Sequence, residues 1–369
     1  MHLATRRSSV LFASLLLISL IVSGCSSPFA PATNHFSKDP MTLNVAQISN
    51  SVGFFVLYVA VQEHFFANQG LTLNPTTPVL TGGSGAKMST QIESGSIEVA
   101  GGGLITDAFT LARIDDSVRI LGALTTGYYV DITVSKKFEQ ETGLTEASPL
   151  ADKVKALVGK KIGITAPNSG TAALVTYLFR IFGYNAQRDV QMVSVGSTTS
   201  ATAIAALKAG TVDAISYFSP AGQQAVAQGV GNIFISPDAG DVPEMHGQVH
   251  GVFYTRQSVI DAKPKAIVAF IRGIAQAEAF IHDNQNQTQV KALLAKYTNT
   301  TQKPKTATTI YTSTMPIMPQ TPLISPQGYN IAAQFHVKAG LLAIAPAYDK
   351  MVATSVINNA LQGFSPSSP

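Results

Sequence analysis

The sequence has a single cysteine, Cys25, among its 369 residues. That excludes a disulfide framework and any cysteine-rich zinc or iron–sulfur site. Charge is scarce as well: 12% of residues are charged, 25 basic against 21 acidic, for a net charge of +4. No basic run or broad positive field is present to hold a nucleic acid. Catalytic signatures are also missing. There is no G-x-S-x-G elbow, P-loop or H-E-x-x-H, and Gly101-Gly102-Gly103 lacks the spacing of a dinucleotide site. His246 and His250 are four apart, but Gly247 and Gly251 interleave them and the next residues alternate as in a strand. The two histidines then share no helix face, so no metal is assigned there. No catalytic residue and no cofactor is assigned either.

What is present is apolar: 46% of residues are hydrophobic, enough for a sizeable core and two or three domains. The chain begins with Arg6-Arg7, then a short apolar run from Val10 to Val22, then Val22-Ser23-Gly24-Cys25. The run is short for a membrane span and fits a cleaved export signal over residues 1–24. The last four residues resemble a bacterial lipobox, in which the cysteine takes a lipid and becomes the first residue of the mature chain. Cys25 is therefore the expected lipidation site. Residues 25–40 are rich in Pro, Ser and Ala and read as a tether.

Two copies of one pattern follow. Thr42 to Gln47 alternates like a strand, Ser49-Asn50-Ser51 is a polar break, Phe54 to Asn68 has helical spacing, and Gly70 stops it before Leu71-Thr72-Leu73. Lys161 to Thr165, Asn168-Ser169, Ala172 to Phe182, Gly183 and Val190 to Val195 repeat that order. The second halves correspond too. Ser84 opens a helix that Gly95 ends before a strand from Ile97 to Ala100. Thr199 or Ser200 opens one that Gly210 ends before a strand from Val212 to Ile215. Strand–helix alternation predicts α/β units with largely parallel sheets. The apolar runs Leu121 to Ser135 and Val249 to Thr255 read as connections between the units. A helix is expected from Pro264, an irregular Thr/Pro-rich stretch from Thr300 to Pro326, and closing helices from Tyr329 to Leu342 and Tyr348 to Leu361 that pack on the first unit.

Phe55-Val56-Leu57-Tyr58-Val59-Ala60 with Phe65-Phe66 and Gly70-Leu71, then Gly82-Gly83-Ser84 and Gly95 to Ala100, resemble solute-binding proteins of ABC importers. The type is the nitrate/sulfonate/taurine and thiamine-precursor (NMT1-like) one. Val158 to Ile164 and Leu207 to Ala214 resemble later segments, so the likeness spans about residues 41–362. It implies a two-lobed periplasmic-binding-protein fold of type II, with two crossover segments and a ligand cleft between the lobes. Residues 41–127 and 247–369 would form one lobe and 128–246 the other. It also implies partners: a small organic solute, an ABC permease and ATPase, and a membrane reached through the lipid anchor at Cys25. A monomer at the periplasmic or outer face is expected. Relatives that make a thiamine pyrimidine use a cysteine-rich motif, which this chain lacks. Two other readings stay open, an exported ligand-sensing accessory protein and an exported enzyme with a two-lobed cleft.

In open α/β sheets ligands lie at the carboxyl ends of strands, near helix N-termini. The candidate ligand-binding residues are therefore Ser49 and Asn50; Gly82, Gly83 and Ser84; Gly102 and Gly103; Asn168, Ser169, Gly170 and Thr171; and Tyr217 and Phe218. Ser84, Ser169 and Thr171 are equally suited to plain helix capping. Tyr128, with Tyr129 beside it at the first connection, is added for stacking on a flat or apolar part of a ligand, with hinge packing the alternative. Asp107 and Asp131 lie near these segments, to receive an N–H group or to act as solvated or capping groups. No predicted cleft loop carries Arg or Lys, which favours a weakly charged or neutral heterocycle, with sulfonates and carboxylates as further classes.

Overall fold

A computed structural model describes residues 41–74, 76–196 and 199–366. The export signal, Cys25 and the tether lie outside the described residues. Among the described residues ten strands form two five-stranded sheets. They are β1 (Val45–Gln47), β2 (Leu80–Thr81), β3 (Val99–Leu104), β4 (Val118–Ala123), β5 (Val130–Ser135), β6 (Lys161–Ile164), β7 (Gln191–Ser194), β8 (Ala214–Phe218), β9 (Gly231–Ile235) and β10 (Gly251–Arg256). The first sheet runs β2-β1-β3-β10-β4 and the second β7-β6-β8-β5-β9. The two orders are one permutation used twice. β1 pairs in parallel with β2 and β3, and β6 with β7 and β8. The fourth strand of each sheet, β10 or β5, lies antiparallel to both neighbours.

This refines the expectation from sequence. The apolar runs read as connections are strands themselves: Leu121 to Ser135 holds the end of β4 and all of β5, and Val249 to Thr255 most of β10. Buried on both faces, such strands are apolar throughout, which is why they carry no alternation. The connections are the segments 124–129 and 236–250. They run side by side: His250 N donates to Thr125 O (3.2 Å) and Gly251 N to Thr125 Oγ1 (2.7 Å).

The helix–glycine–strand spacing is realised. Gly70, Gly95, Gly183 and Gly210 all take positive φ where helices end. The Phe54–Asn68 helix is broken instead into Phe55–Gln62 and Phe65–Asn68 by His64 at φ 60°. Leu71 to Leu73 forms only a single bridge, Thr42 to Thr72. Three expectations fail at the C-terminal end. The first is a single helix from Tyr348 to Leu361, which is instead two short helices, Tyr348–Met351 and Thr354–Leu361. The Thr/Pro-rich stretch contains a helix, Pro304–Thr314, started by proline at its first position. The closing helix Pro326–Lys338 does not rest on the first sheet's helices alone. Phe335 stacks 4.9 Å from Tyr177 of the second sheet's helix Gly170–Ile181, and Arg180 Nη1 donates to Lys338 O (3.1 Å). Among the described residues no helix is long and apolar enough to cross a membrane.

Candidate functional site

The carboxyl ends of β1, β3, β6 and β8 meet at a seam between the two sheets. On the first-sheet side the chain leaves β1 through Ser49-Asn50-Ser51 and enters a 3-10 turn, Val52–Phe54, with no side-chain cap. Its first N–H crosses the seam, from Val52 N to Ser219 O (3.2 Å). Gly53 is needed here, because a Cβ would lie 1.9 Å from the Tyr129 ring. The Ser51 and Tyr129 hydroxyls are both buried and face each other without a well-formed hydrogen bond.

His250 sits in the same layer, fully buried, with both ring nitrogens unpartnered. Its ring lies 4.1 Å from that of Tyr128, 4.9 Å from Tyr129 and 6.4 Å from Phe218, centroid to centroid. Burial, reinforced by His336, pushes its pKa well below the usual value, so the imidazole is neutral. His336 holds its neutral tautomer by geometry. Nδ1 donates to Ala332 O (2.6 Å) and Nε2 accepts from the Thr106 hydroxyl (2.7 Å), and burial lowers its pKa to about 4. Gln248, Tyr254 and Asp107 add further unpartnered buried atoms on this side. Burial raises the Asp107 carboxyl to about 7. An orphaned buried polar group costs about 1–3 kcal/mol, and folded proteins keep few of them. Among the described residues several such groups lie around this seam, and others lie elsewhere, as at Ser258 and Glu278.

The second-sheet side is more self-contained. Ser169 caps the Gly170–Ile181 helix, accepting from Ala172 N (3.3 Å) and donating to Ala166 O (2.7 Å). Thr171 Oγ1 accepts from Thr165 N (2.9 Å), and Thr171 O accepts from Ser216 Oγ (2.8 Å). Gly170 O accepts from the Tyr128 hydroxyl (2.5 Å). Tyr217 turns its hydroxyl away to Gly196 O and Thr199 O. Asp131 accepts from Ser219 Oγ (3.1 Å), and burial raises its pKa to about 6.

The seam thus brings together Tyr128, Gly170 and Phe218 of the residues expected from sequence. Asn168 is exposed at φ 59°. Gly102 and Gly103 serve close packing: a Cβ would lie 2.5 Å from Gln47 Cβ and 2.6 Å from the Tyr254 ring, respectively. Gly82 and Gly83 form the turn into the helix Gly85–Ser94, which Ser84 caps by accepting from Lys87 N (3.3 Å). Ser49 is buried, whereas Asn50 accepts from Gln47 Nε2 (2.7 Å) and faces a cavity of about 420 Å³ beside the seam. Tyr58, Tyr297 and Lys296 also line that cavity. Sequence reasoning misses Lys296, which enters from a distant helix, and Gln248 and Tyr254, whereas it offers Tyr129 with Tyr128 for stacking, Ser51 within a polar break at a strand end, and His250 only as half of a histidine pair. The adjacent pair Tyr128-Tyr129 at the first connection was the available signal. His246 is exposed and His250 buried, and among the described residues no cluster of three or more potential ligands could hold a metal.

Comparison with known proteins agrees with this architecture. The nitrate-binding protein NrtA of Synechocystis PCC 6803 superposes with a TM-score of 0.67 at 16% identity, over 88% of this chain and 89% of that one. The alkanesulfonate-binding protein SsuA of Xanthomonas axonopodis pv. citri gives 0.63 at 15% identity, over 86% and 98%. DszB in complex with biphenyl-2-sulfinic acid gives 0.58 at 15%, over 88% and 99%. In sequence, 184 residues are 28% identical to the bicarbonate transport ATP-binding protein CmpC of Synechocystis sp.. The match covers 49% of this chain and 26% of that relative's length. The fold is the two-lobed α/β fold of periplasmic binding proteins. The NMT1-like family model matches residues 39–296, and the chain belongs to that family.

Proposed function

We propose that the protein captures a small organic solute at the seam and delivers it to an ABC importer. The observation that carries this is the pair of buried, unpartnered side chains Gln248 and His250, beside the buried hydroxyls of Ser51 and Tyr129 and set among the rings of Tyr128, Tyr129 and Phe218. Rings favour a flat ligand, and neutral hydroxyl, amide and imidazole groups favour a neutral or weakly charged one. Lys296, at the neighbouring cavity, would accommodate a carboxylate or sulfonate substituent. Residues 41–127 with 247–369 act as one lobe and 128–246 as the other. Ser49, Asn50, Gly82, Gly83, Ser84 and Asn168 form the outer rim of the site. Cys25 carries the lipid that holds the chain at the membrane, and Cys25→Ser releases it from membranes without unfolding it.

Native mass spectrometry of small molecules co-purifying with the full chain identifies the solute. Thermal-shift screening of heterocycles, sulfonates and carboxylates is the complement, since a ligand at 100 times its Kd adds about 2.7 kcal/mol. His250→Phe keeps the ring and deletes both nitrogens. It is expected to weaken binding at least tenfold while preserving the melting temperature, and unchanged affinity would remove the seam as the site. Chemical turnover of the bound molecule would favour an enzyme instead, a role to which DszB shows only a fold-level likeness.

A further inference from the structure

A second cavity, of about 580 Å³, lies away from the seam, between the second sheet's edge and the helix Pro304–Thr314. One wall comes from Glu139, Glu146 and Asn232, the opposite wall from Lys305, Thr306 and Thr309. Val226, Ala227 and Ile233 form an apolar stripe between them, and Val226 is 44% exposed. At the floor is Gln223, 8% exposed. Its amide nitrogen is spent on Ser219 Oγ (3.4 Å) and Ser313 Oγ (3.5 Å), while its carbonyl oxygen is buried with no partner. Asn232 likewise spends its amide nitrogen on Glu139. Negative and acceptor groups therefore outweigh cationic ones: an orphaned amide oxygen and two carboxylates, one of them already bonded to Asn232, face a single exposed lysine and the Thr145, Thr306 and Thr309 side chains.

We propose that this groove is a second ligand site, for a small soluble organic cation with a primary ammonium group on a short alkyl chain. The ammonium brings three donors and no acceptor, matching Gln223 Oε1 and the carboxylates. The alkyl part lies along Val226, Ala227 and Ile233. The site reaches the solute seam through two hydrogen bonds, because Gln223 holds Ser219, whose carbonyl accepts Val52 N. Its walls also come from both sides of the division between the second sheet and the C-terminal helices. A cation in the groove then favours the arrangement in which these parts touch, and by linkage strengthens solute binding.

Calorimetric titration of the full chain at low salt with 1,4-diaminobutane, and with butane-1,4-diol as the uncharged control, tests the site directly and needs no knowledge of the seam's solute. Expected are saturable binding of the diamine, no measurable binding of the diol, and at least a tenfold loss in the Glu139→Gln/Glu146→Gln double variant. Gln223→Leu, which removes the orphaned oxygen at similar volume, is expected to cost a further severalfold. No saturable diamine binding, equal binding of the diol, or undiminished affinity in the double variant with an unchanged melting temperature would overturn the proposal. None of these outcomes bears on whether a solute binds at the seam.

Discussion

Where β3 of the first sheet runs through Gly101-Gly102-Gly103, its counterpart β8 in the second ends in Tyr217-Phe218. Strand order and neighbours are otherwise the same. The glycines let Phe54, Gln47 and Tyr254 approach β3 at distances no side chain there would allow. The first sheet therefore brings an uncapped turn and a buried Ser51 hydroxyl to the seam. The second sheet brings the Phe218 ring and a helix whose first turn Ser169 already caps at Ala172 N, with Thr171 tied to Thr165 N at the strand end. A repeated architecture has been divided into a half that offers hydrogen-bonding groups and a half that offers surfaces.

The sharpest way to break this comparison is to give the first sheet a side chain. Gly101→Val would place its Cβ 2.4 Å from Val45 Cγ1 and 3.2 Å from the Phe270 ring. A loss of about 3 kcal/mol or more is expected in urea denaturation. In β8, Ser216→Ala loses one hydrogen bond, to Thr171 O, and about 1 kcal/mol. Equal losses would mean that the two strands do equivalent jobs.

Titration next contrasts two buried groups, Asp131 and His336, which respond to pH in opposite directions. Asp131, raised from 3.8 to about 6, stays protonated in the folded chain while the unfolded one ionises, so its contribution falls as pH rises from about 4 to 6. The advantage of Asp131→Asn over wild type should grow by up to about 3 kcal/mol across that window. His336, lowered from 6.5 to about 4, stays neutral in the folded chain while the unfolded one takes a proton. Its contribution is lost as pH falls from about 6.5 to 4, and His336→Gln should remove about 3 kcal/mol of that loss. Parallel pH–stability curves for wild type and both variants would refute the assignment.

A smaller effect is expected at the seam. Gly53→Ala collides with the Tyr129 ring and should hold the sheets apart, costing about a hundredfold in solute affinity, or about 2.7 kcal/mol, together with a drop in melting temperature from the same clash. Scattering should show a failure to compact on saturation. The smallest contrast is between two serines. Ser169→Ala removes a cap and about 1 kcal/mol of stability with affinity kept. Ser51→Ala, which removes a hydroxyl whose contact with the Tyr129 hydroxyl is not a well-formed bond, should cost little stability and weaken binding about tenfold.

The sequence made the local elements legible and left the non-local ones hidden. Gly70, Gly95, Gly183 and Gly210 mark helix ends because a left-handed turn is decided within a few residues. Nothing local tells that β10 enters between β3 and β4, since the pairing joins residues more than a hundred positions apart. The helix Pro304–Thr314 was masked by threonines of poor helix propensity. There Thr308 and Thr309 turn their hydroxyls back to Pro304 O and Lys305 O, and Ile310 and Thr314 are buried. The candidate site was legible as loops at strand ends. Its working atoms were not, because Ser51, Tyr129 and His250 matter through the direction in which their side chains point.

The insertion of β10 also sets a schedule. A chain made from its N-terminus exposes β1 to β4 first, but between β3 and β4 one strand is missing until Gly251–Arg256 has been synthesised. The second sheet, drawn wholly from the continuous stretch 130–235, can close before then. The half encoded first is thus the half completed last. In the interval its two open strand edges, at apolar β3 and β4, are the surfaces most exposed to mispairing with other chains.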